Sequence, residues 1–279
     1  MVIKEALQKT IHDLKENNID NAIFEAHLVF KTVTELSELD LILRGSCELS
    51  AEHEKEIASI LARRKNGEPL QYILGSEEFM GLEFMVNKSV LIPRQDTEIL
   101  IETVLEHFGG RAVTALDLCT GSGCIAIALA HFNKNARVTA LDISTSAVNL
   151  AKKNAEKLGV TDRVSFEVGD VFKRDWFGKF DLVISNPPYI ESDVIPTLAK
   201  QVYCFEPRTA LDGGADGLDF YRHIVKTAPK YLNTNGVLAF EIGYNQMEAV
   251  TKLMENDFTD IRAVKDYGDN YRVVIGIKK

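Results

Sequence analysis

From residue 111 onward the chain alternates short apolar runs with helical stretches, and that rhythm constrains the fold more than any other feature. Residues 112–118, 138–143, 164–168, 180–184 and 237–242 are runs of strand length, separated by segments long enough for a helix. Strands joined through helices lie parallel, with helices on both faces of the sheet, because a tight turn cannot close a parallel pair. Two last runs, 261–264 and 273–277, are separated only by the mostly polar stretch 265–272. That gap is too short for a helical crossover, so the last strand pair is expected to be antiparallel. The fold class is therefore α/β, a Rossmann-like sheet.

The first 66 residues have a different period. Ile3, Ala6, Leu7, Ile11 and Leu14 recur at steps of three and four, the spacing of one helix face. Asp20 is placed to cap a second helix over 21–34, with Ile23, Ala26, Leu28 and Val29 as its apolar residues. Ser50 is placed to cap a third, with Ile57, Ile60 and Leu61 facing inward, which Asn66-Gly67 and Pro69 end. This segment has no glycine-rich loop and no cluster of ligand residues. Residues 1–71 are accordingly expected to form a helical docking domain. Residues 78–86 alternate around Gly81, a hairpin signal, so 72–92 reads as a β-hairpin linker. The catalytic domain would then span 93–279, opening with a helix near Asp96-Thr97-Glu98.

Charge and cysteine usage narrow the setting. The chain has 32 Lys+Arg against 41 Asp+Glu, a net charge of −9, which argues against a protein that binds nucleic-acid phosphates directly. Residues 1–85 hold 9 of those basic residues and 16 of the acidic ones, so the acidity is expected to belong to the helical domain. The four cysteines include no Cys-x-x-Cys pair, and the six histidines show no ligand spacing, so no metal site is expected. No window approaches the roughly 18 apolar residues of a membrane span. The first residues lack the basic and apolar regions of a secretory signal. A cytoplasmic, monomeric protein with reduced thiols is the expectation.

Asp117-Leu-Cys119-Thr120-Gly121-Ser122-Gly123 follows the first strand of the alternating part and opens a helix. Two glycines one residue apart let the backbone turn sharply and approach a ligand closely. Nineteen residues beyond Gly123, Asp142 ends the second strand, where a carboxylate can take both hydroxyls of a ribose. The loop also matches a dinucleotide fingerprint. Asp117, read as lying at the mouth of the loop, argues against a pyrophosphate, which it would repel. A ligand with an ammonium and a sulfonium would be attracted instead. Asp170, ending the third strand ahead of Val171, adds an acid suited to an adenine amino group. Three acids at successive strand ends favour S-adenosylmethionine over NAD.

Ser185-Asn186-Pro187-Pro188-Tyr189 follows the fourth strand, at the edge where open α/β sheets bind ligands. An amide or aromatic amine is a poor nucleophile because its nitrogen lone pair is delocalised. The side-chain carbonyl of Asn186 and the backbone carbonyl of Pro187 can each accept one N–H from such a group. Together they would orient the lone pair and stabilise the positive charge that develops on alkylation. Pro188 biases Pro187 toward extended geometry, and Tyr189 offers a flat face on which a planar group can stack.

With both motifs in hand, the chain resembles the release-factor glutamine methyltransferase family, known as HemK or PrmC. The similarity extends to Pro69-Leu-Gln-Tyr72, 79–84, 92–98, Glu206-Pro-Arg208, 211–217 and Glu241-Ile-Gly243. It implies a helical N-terminal domain joined by a hairpin to a seven-stranded class I methyltransferase domain. It also implies methyl transfer from S-adenosylmethionine to N5 of the glutamine in the Gly-Gly-Gln loop of class-1 peptide release factors. By the same resemblance Cys119, Thr120, Gly121, Ser122 and Gly123 line the cofactor loop, Asp142 holds the ribose, and Asp170 and Val171 lie near the adenine. Asn186, Pro187, Pro188 and Tyr189 would hold the glutamine amide, while Arg94 and Glu241 position loops near the pocket. The family often has glycine where Cys119 stands, so the backbone there must tolerate a side chain.

Two rivals remain at this stage. DNA adenine-N6 methyltransferases share an Asn/Asp-Pro-Pro-Tyr motif, but they must flip a base and clamp a duplex, and no basic recognition domain is visible. A non-catalytic adaptor that kept the cofactor fold would have no reason to retain Asn186-Pro-Pro-Tyr189. Because one glutamine offers little contact, the acidic helical domain is expected to grip the release factor elsewhere, partly by charge.

Overall fold

The computed structural model describes residues 1–175 and 178–279, which divide into two compact units. The first comprises Met1–Gly75 together with Lys200–Phe205. Its helices are α1 (Ile3–Glu16), α2 (Ala22–Thr34), α3 (Glu38–Leu43), α4 (Ala51–Lys65) and α5 (Leu70–Leu74). Leu14, Ala26, Val29, Phe30, Ile57 and Leu61 meet in one apolar core. Ser50 caps α4 as its position implies, its hydroxyl accepting the His53 N–H at 3.1 Å. Asn21, not Asp20, precedes α2, and it makes no side-chain cap bond. Ile23 and Phe24 on the first turn of α2 are exposed, so the apolar face of that helix is narrower than its composition implies. The short helices α3 and α5 give too few turns for a period to show. α3 forms because Ser37 and Asp40 make a reciprocal capping box.

The second unit is Ser76–Ala199 with Glu206–Lys279. In chain order it carries β1 (Ser76–Phe79), β2 (Leu82–Met85), α6 (Gln95–Phe108), β3 (Val113–Leu118), α7 (Cys124–Phe132), β4 (Ala136–Asp142), α8 (Thr145–Lys157), β5 (Val164–Val168) and β6 (Phe180–Ser185). The four-residue α9 (Lys200–Tyr203) belongs to the first unit. There follow α10 (Asp219–Tyr231), β7 (Leu232–Glu241), α11 (Met247–Met254), β8 (Phe258–Lys265) and β9 (Tyr271–Lys278). The main sheet has the order β5-β4-β3-β6-β7-β9-β8. Its first five strands are parallel, and β9 runs antiparallel to both β7 and β8. Side chains alternate between the two faces as the strand period requires. Ala115 packs with Ile101 and Ile127 on one side, and Leu116 with Tyr221 and Ile224 on the other.

Two expectations change here. The hairpin is not a separate linker, because Phe79 and Phe84 are fully buried in the same core as α6 and α7. The helical unit correspondingly runs to Gly75 rather than residue 71. Ending the charge count at Gly75 instead of residue 85 removes Glu77, Glu78 and Glu83 from the helical side, and Lys200 joins it. The first unit then carries 10 Lys+Arg and 13 Asp+Glu, net −3, and the second 22 and 28, net −6. For their sizes the two are about equally acidic, so the charge does not mark the helical unit out. Among the described residues no helix is long and apolar enough to cross a membrane.

Candidate active site

Parallel pairing places the carboxyl ends of β3, β4, β5 and β6 along one edge of the sheet. A cavity of about 240 Å³ opens there. Its wall contains Cys119, Thr120, Gly121, Ser122, Asp142, Asp170, Val171, Asn186 and Pro188. Two motifs and two carboxylates far apart in sequence therefore share one site. Gly123, Pro187 and Tyr189 do not reach its wall.

The glycine loop is held by backbone bonds to the end of β4. The Thr120 N–H donates to the Leu141 carbonyl at 2.9 Å, and the Gly121 N–H to Asp142 Oδ2 at 2.8 Å. Asp142 Oδ1 accepts the Ser144 N–H at 2.9 Å, and Ser144 caps α8. Burial raises the Asp142 pKa, against the pull of those N–H groups. Gly121 has φ +54°, and a Cβ there would meet no atom within 4 Å. Gly123, at φ +82°, is enclosed instead, since a Cβ would lie 3.0 Å from both Ala151 and Ile127. Cys119 carries its side chain at φ +64°, a conformation that favours glycine.

Asp117 departs from its expected place. It is fully buried beneath the loop instead of standing at its mouth, and it does not line the cavity. Its Oδ2 accepts the Thr120 hydroxyl at 2.5 Å, while Oδ1 has no hydrogen-bond partner among the described residues. Burial pushes its carboxyl up to about 7. Asp170 lies nearer solvent, and the Phe172 N–H and Lys173 hold its pKa low.

Further side chains complete the cavity. Phe172 and Phe220 line it with ring centroids 4.9 Å apart, and His223 lies against Phe172 at 4.8 Å. Arg94 lines another part of the wall and pairs at 2.5 Å with Glu206, whose side chain is buried. Burial raises the Glu206 pKa in spite of that partner. Asn186 donates from Nδ2 to the Thr97 hydroxyl at 3.2 Å, and Thr97 donates to Glu241 Oε2 at 2.5 Å. The Tyr189 hydroxyl reaches the other oxygen of Glu241 at 3.4 Å. Phe172, Phe220 and Thr97 were not expected here. The two aromatics belong to no motif, and Thr97, although within the 92–98 stretch that resembles the family, reads by itself as an ordinary residue of a helix start. Among the described residues no group of three or more His, Cys, Asp or Glu side chains could hold a metal ion.

This sheet order with a glycine loop after the first parallel strand and Asn-Pro-Pro-Tyr after the fourth defines a class I methyltransferase, dependent on S-adenosylmethionine. Residues 110–274 match the family model described as a methyltransferase domain, and residues 5–75 match the PrmC N-terminal domain. A release factor glutamine methyltransferase of Clostridium acetobutylicum is 39% identical over 282 residues, covering 100% of this chain and 99% of the relative. One of Geobacter sulfurreducens is 41% identical, covering 98% and 96%. A methyltransferase structure from Pyrococcus furiosus superposes with a TM-score of 0.55 at 19% identity, covering 82% of this chain and 99% of that one, and supports the fold alone. The chain belongs to the release factor glutamine methyltransferase family.

Proposed function

We propose that this protein methylates N5 of the glutamine in the Gly-Gly-Gln loop of class-1 peptide release factors, with S-adenosylmethionine as donor. Full-length relatives of that name support the substrate. The observation that carries the chemistry is Asn186 lining the same cavity as Asp142 and Asp170.

The residues present fit the cofactor. The open face of Gly121 leaves room for close approach, Asp142 has carboxylate lone pairs beyond its two backbone bonds, and Val171, Phe172 and Phe220 offer an apolar wall to a base. When bound, the cofactor supplies a methyl group on a positively charged sulfur. The chain's own residues act on the acceptor. Asn186 Oδ1, on the cavity wall, would accept one N–H of the glutamine amide, and the carbonyl of Pro187, next to it but off that wall, would accept the other, turning the nitrogen lone pair toward the methyl. As the N–CH3 bond formed, the S–CH3 bond would break with its electron pair returning to sulfur, the two carbonyls would stabilise the positive charge building on the nitrogen, and its extra proton would pass to water. Pro188 holds the turn, and Tyr189, anchored to Glu241, flanks the amide.

The helical unit serves as the docking element. With no excess of charge to steer by, its exposed Phe24, Leu39, Ile42 and Leu43 are the better candidates for the contact. The protein acts in the cytoplasm as a monomer, without binding nucleic acid directly. Mass spectrometry of a release factor incubated with protein and cofactor tests the reading. Methylation of the Gly-Gly-Gln glutamine is expected, with turnover falling on the order of 10²-fold or more in Asn186→Ala. An unmodified factor with the wild-type protein would refute it.

A further inference from the structure

Asn186, Thr97 and Glu241 form a hydrogen-bonded chain whose polarity is set as long as Glu241 is ionised. Thr97, buried on the first turn of α6, has one hydroxyl hydrogen and donates it to Glu241 Oε2. With that hydrogen committed, the hydroxyl oxygen can only accept from a third group. The atom of Asn186 facing it must then be a donor, the amide nitrogen, as observed at 3.2 Å. An asparagine amide carries one donor and one acceptor end, so fixing Nδ2 on Thr97 turns Oδ1 away from the relay. The flipped amide would put two N–H donors against the N–H groups of an incoming amide, and could not hold it.

We propose that Thr97 and Glu241 are positioning residues that fix Asn186 with its acceptor oxygen toward the substrate amide; this rests on the role given to Asn186 above. Their own site is well defined. Glu241 ends β7 and is buried, and its backbone carbonyl accepts the Tyr221 hydroxyl at 2.9 Å. Facing its carboxyl are Asp96 and Thr97 from α6, Cys124 from α7, Tyr189 after β6, Tyr221 from α10 and Arg272 from β9. Arg272 is itself shared with Asp96 and Asp266, so it only partly neutralises Glu241.

The relay also links the site to pH. Burial pushes the Glu241 carboxyl up to about 7. Once protonated, it can donate to Thr97, which frees the Thr97 hydrogen to point at Asn186 and favours the flipped amide. Turnover should therefore fall as pH drops through about 7.

The test uses the full-length protein with an intact release factor and compares Thr97→Val with Thr97→Ser. Valine keeps the shape and removes the relay, and is expected to lower kcat by about 10–100-fold with cofactor affinity unchanged by calorimetry. Its kcat should also lose the acid limb near pH 7, because Glu241 no longer reaches Asn186. Serine keeps the hydroxyl and is expected to restore both kcat, to within about 3-fold, and the acid limb. A Thr97→Val protein with wild-type kcat, or a serine variant as impaired as the valine one, would overturn the relay while leaving the methyltransferase reading intact. Failure of the wild-type protein to methylate the factor would instead refute the function itself.

Discussion

Substituting the two glycines of the cofactor loop should have opposite consequences, although both have positive φ and stand two residues apart. In Gly123→Ala the added methyl would lie 3.0 Å from Ala151 Cβ and Ile127 Cδ1 and 3.2 Å from Phe166. Ala151 Cβ is fixed to the backbone of α8, so relief there requires moving the helix, even though the Ile127 tip can turn aside. The left-handed backbone costs about 1–2 kcal/mol and overpacking about 1–3 kcal/mol, a total of about 2–5 kcal/mol. For a unit of this size that corresponds to a Tm lower by roughly 5–15 °C. In Gly121→Ala the methyl meets nothing within 4 Å, so only the backbone cost of about 1–2 kcal/mol applies. That methyl would instead occupy the side from which a ligand approaches. Thermal unfolding by near-UV circular dichroism and cofactor titration by calorimetry separate the two. Gly123→Ala should be the less stable protein, and Gly121→Ala the one that loses affinity out of proportion to stability. Equal Tm values for the two variants would refute the packing argument.

Other outcomes follow from the same geometry. Asp142→Ala should weaken cofactor binding by about 1.5–3 kcal/mol, and unchanged affinity by calorimetry would sink its assignment to the ribose. Asp117 has its folded pKa raised to about 7, so the native state holds its proton more tightly than the unfolded chain does. The stability this gives is present below about pH 4 and is lost as pH rises through about 7. Asp117→Asn should therefore stabilise the protein by on the order of 2–4 kcal/mol at pH 8 and by little near pH 4, and a pH-independent difference in urea unfolding would contradict this. Phe24→Asp with Leu43→Asp should raise KM for an intact release factor by about 5-fold or more and leave KM for a short Gly-Gly-Gln peptide unchanged. Equal changes for both substrates would count against docking through the helical unit.

Much of the fold is written in short-range pattern. The inner parallel strands were legible because a strand buried on both faces must be apolar along its length, the edge strand β5 by its alternation, and the loop because only glycine suits both its turns. Asn186 was legible because its neighbours are two prolines. What escaped depends on long-range packing. Asp117 has the same local signature whether its carboxyl points into a cavity or beneath a loop, and only the course of β3 and α7 decides. Thr97 is separated from Glu241 by 144 positions, and a threonine on a first helical turn carries no sign of a distant carboxylate. The charge asymmetry misled for a related reason, since residues 1–85 include the whole hairpin, whose Glu77, Glu78 and Glu83 belong to the catalytic unit.

That hairpin shows how an element without motif residues can still serve the site. Asn154 lies inside α8 and is fully buried, an unfavourable place for an amide unless each of its polar atoms is used. Its Oδ1 accepts the Met85 N–H at 2.7 Å, and its Nδ2 donates to the Met85 carbonyl at 3.0 Å and to the Ser122 carbonyl at 2.9 Å. One side chain thus ties the end of β2 to the glycine loop. At the turn of the same hairpin, the Met80 N–H donates to Glu98 of α6 at 2.5 Å, one residue after Thr97. The ribbon is therefore fastened at one end to the loop that lines the cavity and at the other to the helix that orients Asn186. A flexible linker would need neither bond, and burying Phe79 and Phe84 in the core of the catalytic unit makes the ribbon a brace for both halves of the site.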